Sequence, residues 1–303
     1  MKLLSKFSTC CLALFAPLAF ADDLKKSPEV AAPKPAAAKG IVFKVEGGSA
    51  PLYLCGSIHL MKAEDATLPA AYETAYKASE KIVMEVPPDD LSPANVNKAM
   101  MKYAFFEKGE LDDVLTAETK TLLAGWAKEN GVPLSSLKTS RPWLVSLMIT
   151  QQAYAAIGMK EEIGIDIQFT KRAKKDKKPG SGLETIDDQF KMLSGFDQET
   201  QDEMVKQSIT EAKTASVELE EMLAAWRAGD TAKLATVMEE SFKDVPKVGE
   251  LLLQQRNARW LPQVEEILKQ ATPTMIIVGA GHLCGKGSLV ELLEKKGFRV
   301  VQQ

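Results

Sequence analysis

The sequence predicts an α/β protein with a mixed central sheet, built from both ends of the chain, and a large helical region between them. Short apolar and β-branched segments, typical of strands, lie mainly near the two ends. From about residue 91 to 270, apolar residues recur instead with the 3.6-residue period of helices. A composition of 45% hydrophobic and 26% charged residues is that of an ordinary globular protein, so we expect a sizeable core.

The first 21 residues have the pattern of a signal peptide. Lys2 and Lys6 precede an apolar run at 12–20, and Ala19-Phe20-Ala21 is the small-x-small pattern that signal peptidase accepts. This predicts an exported protein, either periplasmic or secreted. A lipoprotein anchored at Cys10 or Cys11 is the alternative, although the aliphatic residue that usually precedes such a cysteine is missing.

Residues 22–39 predict a flexible linker, because they contain three prolines and almost no large apolar side chains. Residues 40–303 are then predicted to form a single domain with a helical insertion at about 91–270. No later apolar run reaches the roughly 18–20 residues that a transmembrane helix needs. The formal net charge of −3 gives no indication of a nucleic-acid partner.

The N-terminal part of the domain predicts a hairpin followed by a β-α-β unit. Residues 41–46 and 51–58, on either side of Gly47-Gly48, read as adjacent strands that lead into His59. A helix is predicted over 68–81 and a strand over 82–86, which contains Glu85.

The middle of the chain predicts helices and one brief strand at 182–184. The predicted helices are 92–105, 117–129, 142–157, 165–176, 187–193, 197–228, 231–241 and 258–270.

The C-terminal part returns to strand. Residues 273–278 form an apolar run typical of a buried parallel strand, and Gly279-Ala280-Gly281-His282 follows at once. A helix over 288–296 and a strand over 298–301 complete a second β-α-β unit.

The two histidines of the chain occupy equivalent places. Each ends a G-x-x-H segment after a predicted strand, as Gly56-Ser57-Ile58-His59 and as Gly279-Ala280-Gly281-His282. Ligands of open α/β sheets bind at the carboxyl ends of the strands. We therefore expect both imidazoles in one site, and the alternative is two independent core histidines.

Two imidazoles need at least one more ligand to hold a catalytic metal. Glu85 is the candidate, because a carboxylate within an apolar strand is costly without a cation; the alternative is a salt bridge. Glu184 follows the brief strand and is a candidate further ligand or general base, or simply part of a helix start. The predicted cofactor is a divalent metal ion, with manganese, cobalt and zinc all open.

The segment Arg256 to Trp260 brings two guanidiniums, an amide and an indole to a helix start. Arg256 and Asn257 suit the binding of a carboxylate or the polarisation of a carbonyl. The alternative is a solvated helix start with Trp260 in the core. The chain lacks the H-E-x-x-H, G-x-S-x-G, phosphate-loop and dinucleotide motifs.

Cys55 and Cys284 are the cysteines that would remain after signal cleavage, and each lies close to one histidine. In an oxidising compartment this placement suggests a disulfide near the site. The alternative is a pair of unpaired buried thiols.

Over nearly the whole predicted domain the sequence resembles the TraB/GumN family, to which the Tiki-type metalloproteases are related. The segments that carry the resemblance are Tyr53 to His59, Met84-Glu85-Val86, Arg141-Pro142-Trp143, Gly164-Ile165-Asp166, Gly182 to Thr185, Arg256-Asn257 with Trp260, and Val278 to His282 followed by Gly285. The resemblance implies a fold like the erythromycin-esterase and haem-binding ChaN-like proteins. It also implies a divalent-metal site with the two histidines and a glutamate, which supports peptide hydrolysis in Tiki-like relatives. Cys55 and Cys284 depart from the family, which usually has apolar residues there.

The leading hypothesis is a periplasmic metal-dependent hydrolase that acts on peptide or amide bonds of a peptide or small-molecule substrate. His59, Glu85 and His282 would be the metal ligands, Arg256 or Asn257 would polarise the carbonyl, and Glu184 would carry the proton. The alternative is a non-catalytic protein that binds a small molecule or a haem-like ligand.

Overall fold

A six-stranded mixed sheet in the order β4-β3-β5-β2-β1-β6 is the framework of this computed structural model, which describes residues 39–303. The strands are β1 (Val42–Glu46), β2 (Leu52–Ser57), β3 (Lys81–Met84), β4 (Gly180–Gly182), β5 (Thr274–Gly279) and β6 (Arg299–Gln302). The predicted signal peptide, and the predicted linker up to residue 38, lie outside the described residues.

The C-terminal strand β5 lies between two N-terminal strands, β2 and β3. It is parallel to both, with Leu54 and Val83 opposite Ile276 on its two sides. Strand β4 continues the parallel part beyond β3, whereas β1 pairs antiparallel with β2 and with β6. The predicted mixed sheet built from both chain ends is therefore confirmed.

The largely apolar composition of β2 and β5 explains why these strands lie at the centre of the sheet. Every residue of β2 and β5 is buried, as expected for parallel strands covered on both faces, and both read as apolar runs. The edge strand β6 has exposed residues at both ends. The C-terminal ends of β4, β3, β5 and β2 consequently meet at one covered edge of the sheet.

Helices make up most of the described residues outside the sheet. They are α1 (Ala70–Ala78), α2 (Pro93–Tyr103), α3 (Leu111–Val114), α4 (Ala117–Glu129), α5 (Pro142–Ala156), α6 (Ile165–Asp176), α7 (Ile186–Ser194), α8 (Gln198–Glu211), α9 (Ala215–Ala228), α10 (Thr231–Ser241), α11 (Pro246–Gly249), α12 (Gln255–Leu268) and α13 (Leu289–Lys295). Within the described residues, no helix has both the length and the apolar character needed to cross a membrane.

Local sequence sets several helix starts. The side chains of Ser92, Thr116, Asp197 and Ser288 each accept a hydrogen bond from the backbone N–H three residues later, which satisfies a donor that the first turn leaves free. The single helix predicted over 197–228 is instead two helices, α8 and α9, which join at a turn before Ala215.

The predicted disulfide is wrong, because Cys55 and Cys284 are both free and buried. The residue opposite Cys55 on β5 is Ile277, and Cys284 comes only after β5 and a following 3-10 turn, Ala280–Leu283. The alternative interpretation, two unpaired buried thiols, is the one that the structure supports. Burial raises the pKa of both thiols, that of Cys284 to about 12.

We predict that neither thiol reacts with iodoacetamide in the folded protein, since the reactive thiolate is suppressed and both side chains are covered. Denaturation without a reductant should make both available. Peptide mapping by mass spectrometry before and after denaturation measures this. A Cys55–Cys284 cross-linked peptide that disappears only on reduction would contradict the expectation.

Candidate functional site

Four polar residues follow the four strands that end at the covered edge of the sheet. In the order of the strands β4, β3, β5 and β2 they are Glu184, Glu85, His282 and His59. We call these four residues the edge row. Glu85 and His59 are each 5% exposed and His282 is fully buried. This is where open α/β sheets place their ligands.

Arg256, from the first turn of α12, lies among the first three members of the row and is fully buried. Its Nη2 donates to Glu85 Oε2 and, at 2.6 Å, to Glu184 Oε1. Its Nε also donates to Glu184 Oε1, at 3.0 Å. Its Nη1 lies 3.1 Å from His282 Nε2 and donates to the carbonyl of Leu252. One guanidinium thus joins three strand ends.

The two carboxylates keep Arg256 charged. Burial works most strongly against the charge, but Glu85 and Glu184 together outweigh it, and the pKa of Arg256 is raised. The other carboxylate oxygens are also engaged: Glu85 Oε1 accepts from the backbone N–H of Gly279 at 2.6 Å, and Glu184 Oε2 accepts from Trp260 Nε1 at 3.1 Å.

His282 is held as a neutral imidazole. Asn257 Nδ2 donates to the carbonyl of Gly287 at 2.8 Å, which leaves its amide oxygen to accept the Nδ1 proton of His282 at 2.7 Å. The unprotonated Nε2 then faces the guanidinium of Arg256. Burial, followed by the positive charge of Arg256 and by His59, holds the pKa of His282 well below its ordinary value.

His59 has a carboxylate partner instead. Its Nδ1 lies 2.8 Å from Asp166 Oδ1, an ion pair without the alignment of a hydrogen bond. Its Nε2 is buried and has no hydrogen-bond partner among the described residues. Burial disfavours the imidazolium, but Asp166 and, to a smaller extent, Glu85 outweigh burial and the opposing charge of Arg256, so the pKa of His59 is raised.

The turn before α6 places Asp166 against His59. The backbone N–H of Ile165 donates to the carbonyl of Ile58 at 3.1 Å. A Cβ atom at Gly164 would lie only 2.1 Å from the His59 carbonyl oxygen, so glycine permits this approach. Glu161, in the same turn, has its pKa raised to about 7 by burial and then by the negative charges of Asp166 and Glu162.

The structure brings Glu85, Glu184, Arg256, Asn257 and His282 into one hydrogen-bonded network, which we call the arginine centre. His59 lies at the next strand end and interacts electrostatically with Glu85 and His282. For Glu85, the alternative interpretation of a salt bridge is the one observed. Within residues 39–303, no three His, Cys, Asp or Glu side chains are grouped so as to hold a metal ion.

The expected ligands therefore do not fit a shared metal ion as they are placed. Glu85 Oε1 and His282 Nε2 are 3.7 Å apart, but the Arg256 guanidinium contacts both side chains. Arg256 and Asn257, which were expected to polarise a carbonyl, donate hydrogen bonds to partners within the fold. The divalent ion stays a prediction from sequence.

Asp166 and Gln189 are two residues of this region for which the sequence alone indicates no role. Gln189 Nε2 donates to Glu184 Oε1 at 2.9 Å and to Glu85 Oε2 at 3.3 Å, and so links the two carboxylates. The segment Gly164-Ile165-Asp166 was a usable signal for Asp166, because it begins a helix with a carboxylate in the first turn. Nothing local distinguishes Gln189 from other residues on the apolar face of α7.

Comparisons of the sequence with known proteins show a similarity at the level of family. The sequence model described as the TraB/PrgY/gumN family matches residues 41–302. "Uncharacterized protein YbaP" of Escherichia coli (strain K12) is 24% identical over 249 residues, which cover 81% of this chain and 89% of the relative. The protein of the same name from Shigella flexneri is 24% identical over 244 residues, with 80% and 87% covered. No solved structure shows significant similarity.

We predict that Gly164→Ala lowers the free energy of unfolding by about 1–3 kcal/mol, because the new methyl group overlaps the His59 carbonyl. Gly125→Ala is the matched control, since its added Cβ, within α4, meets nothing within 4 Å. It should raise stability by about 0.5–1 kcal/mol. Urea unfolding measures both, and equal effects of the two substitutions would contradict the expectation.

We also predict that Asp166→Asn lowers the pKa of His59, since the carboxylate is the main group that raises it. A pKa raised on folding contributes stability that is fully present below the ordinary value of 6.5 and is lost as pH rises through the folded pKa. The wild type should therefore lose stability over that window, and Asp166→Asn should lose less, because Glu161, whose pKa is raised mainly by burial, still titrates there.

NMR titration of the two imidazoles measures this shift directly. His282 is the internal reference, because it should remain neutral around pH 7 in both proteins. An unchanged His59 pKa in Asp166→Asn, or a wild-type value below 6.5, would contradict the assignment.

Proposed function

This chain belongs to the TraB/PrgY/gumN family, and we propose that it is an exported hydrolase that cleaves peptide or other amide bonds. The observation that carries the proposal is the pair of His59 and Asp166. His59 follows the carboxyl end of the central parallel strand β2, beside the arginine centre, and its Nε2 makes no hydrogen bond within the described residues.

In the proposed reaction His59 is the general base. Its Nε2 takes a proton from a water molecule while the water oxygen attacks the carbonyl carbon of the amide. The same nitrogen then gives that proton to the departing amine as the C–N bond breaks. Asp166 lies beside Nδ1 and stabilises the imidazolium between the two steps through its charge, and a raised pKa suits a base that works near neutral pH.

The arginine centre fixes the geometry of this end of the sheet. It holds the ends of β3, β4 and β5 through Glu85, Glu184 and His282. With two carboxylates and one guanidinium, the arginine centre has a negative net formal charge. Of its carboxylates, Glu85 contributes to the raised pKa of His59. Arg256 and Asn257 are accordingly positioning residues in this proposal.

A non-catalytic small-molecule-binding protein is the second candidate. The observation that favours it is the closure of the arginine centre, where Arg256 and His282 are both 0% exposed and hydrogen-bonded within the fold. Such a protein would use the neighbouring surface for binding and would need no base.

The test is a library of internally quenched fluorescent peptides incubated with the purified protein. We expect cleavage by the wild type and a fall in kcat of about 10²–10⁴-fold in His59→Gln, because general-base catalysis is lost. Asp166→Asn should also be slower. Glu162→Gln, an exposed acid in the same turn, is the control and should remain active.

Each outcome separates the hypotheses. Cleavage that persists in His59→Gln at the wild-type rate rejects His59 as the base. No cleavage of any library member, together with ligand binding, favours the binding protein. Loss of activity with a chelator, restored by manganese, cobalt or zinc, would support the divalent ion predicted from sequence.

A further inference from the structure

A surface groove of about 530 Å³ lies next to the β4 end of the edge row. It is lined by residues that follow β4, by α7, and by α12 with the π-helical segment Glu250–Gln254 before it. The apolar part of its wall comes from Leu183, Met192 and Leu251. A volume of this size is within the range of small-molecule sites, about 300–1,000 Å³.

The inner end of the groove is part of the arginine centre. Glu184 and Trp260 both line it. Glu184 Oε1 accepts from Arg256, Glu184 Oε2 accepts from Trp260 Nε1, and the Trp260 ring lies 4.5 Å from the His282 ring. A molecule in the groove would therefore touch residues that directly contact the buried network.

The charges that line the groove are not equally available. Glu184 is paired with Arg256, and Asp188 Oδ2 accepts from the backbone N–H and the hydroxyl of Thr185 at the start of α7. Lys191 and Arg259 are exposed, and neither side chain has a hydrogen bond or ion pair with another described residue. The groove therefore offers two cationic side chains without a hydrogen-bonded partner, of which Lys191 also lies near Asp187, whereas its two carboxylates are already engaged in hydrogen bonds.

We propose that this groove binds the free carboxylate end of an apolar peptide and that Arg259, with Lys191, recognises the carboxylate. A guanidinium binds a carboxylate through two parallel hydrogen bonds, and the apolar wall takes the adjoining side chains. This deepens the proposed function, on which it rests, by naming the substrate class: peptides with an apolar C-terminal segment and a free carboxylate.

The test uses peptide probes, whose length is chosen from the spacing of the edge row. Three inter-strand steps of about 4.8 Å separate the ends of β4 and β2, roughly 14 Å in all. About four extended residues span that distance. The probes are two pools of N-dansylated tetrapeptides, randomised among Ala, Val, Leu, Met and Phe, one with a free C-terminal carboxylate and the other with a C-terminal amide.

Fluorescence anisotropy with the full chain should show that the acid pool binds at least about 10-fold more tightly than the amide pool, a preference that weakens at high salt. Arg259→Gln should remove the preference and Lys191→Gln should reduce it. Arg299→Gln is the matched control, because Arg299 is exposed on β6 and is paired with Glu46. It should keep the preference.

Equal binding of the two pools, no binding of either, or a preference that survives in Arg259→Gln overturns the proposal. The failure of the hydrolase is distinguishable. Carboxylate-dependent binding through Arg259 without any cleavage would leave the groove assigned and reject the enzyme. Cleavage that depends on His59 but not on the C-terminal carboxylate would reject the groove and retain the enzyme.

Discussion

The buried guanidinium of Arg256 is the constraint on which the arrangement of the sheet edge depends. Removal of a guanidinium and two carboxylates from water costs several kcal/mol for each ion, and this cost is offset only when their hydrogen bonds are made within the fold. Here the partners come from the ends of β3, β4 and β5 and from α12. These segments are far apart in sequence, so the network can form only when the parallel strands and α12 have assembled together.

The parts of this architecture that depend on local patterns were predictable, whereas pairings between distant segments were not. Apolar runs identified the two central strands, and the G-x-x-H segments correctly indicated a common edge. Sequence could mark Glu85 as a carboxylate that needs a cation, but not that Arg256 supplies it, because spacing does not tell which cation reaches which carboxylate. The docking of Gly164 on His59 and the lack of a bond between Cys55 and Cys284 likewise follow from register and loop contacts.

The two histidines show that the same motif does not determine the same proton chemistry. Both follow a glycine by three residues and both are buried, so desolvation disfavours their charged forms alike. His59 has a carboxylate beside Nδ1 and its pKa is raised. His282 has an amide oxygen there and a guanidinium beside Nε2, and its pKa is lowered. Of the two histidines, only His59 is therefore suited to exchange a proton near neutral pH.

The different surroundings of His59 and His282 also affect where a divalent cation could be accommodated at this edge of the sheet. Beside Glu85 and His282 an incoming ion would have to displace Arg256, breaking its hydrogen bonds to Glu85 and Glu184 and leaving a second cation buried nearby. At His59 no cation stands against the ring: Nε2 makes no hydrogen bond within the described residues, and the carboxylate of Asp166 lies beside Nδ1. The guanidinium supplied from α12 thus occupies the centre of the edge row, and His59 at the β2 end keeps a ring nitrogen that makes no hydrogen bond within the described residues.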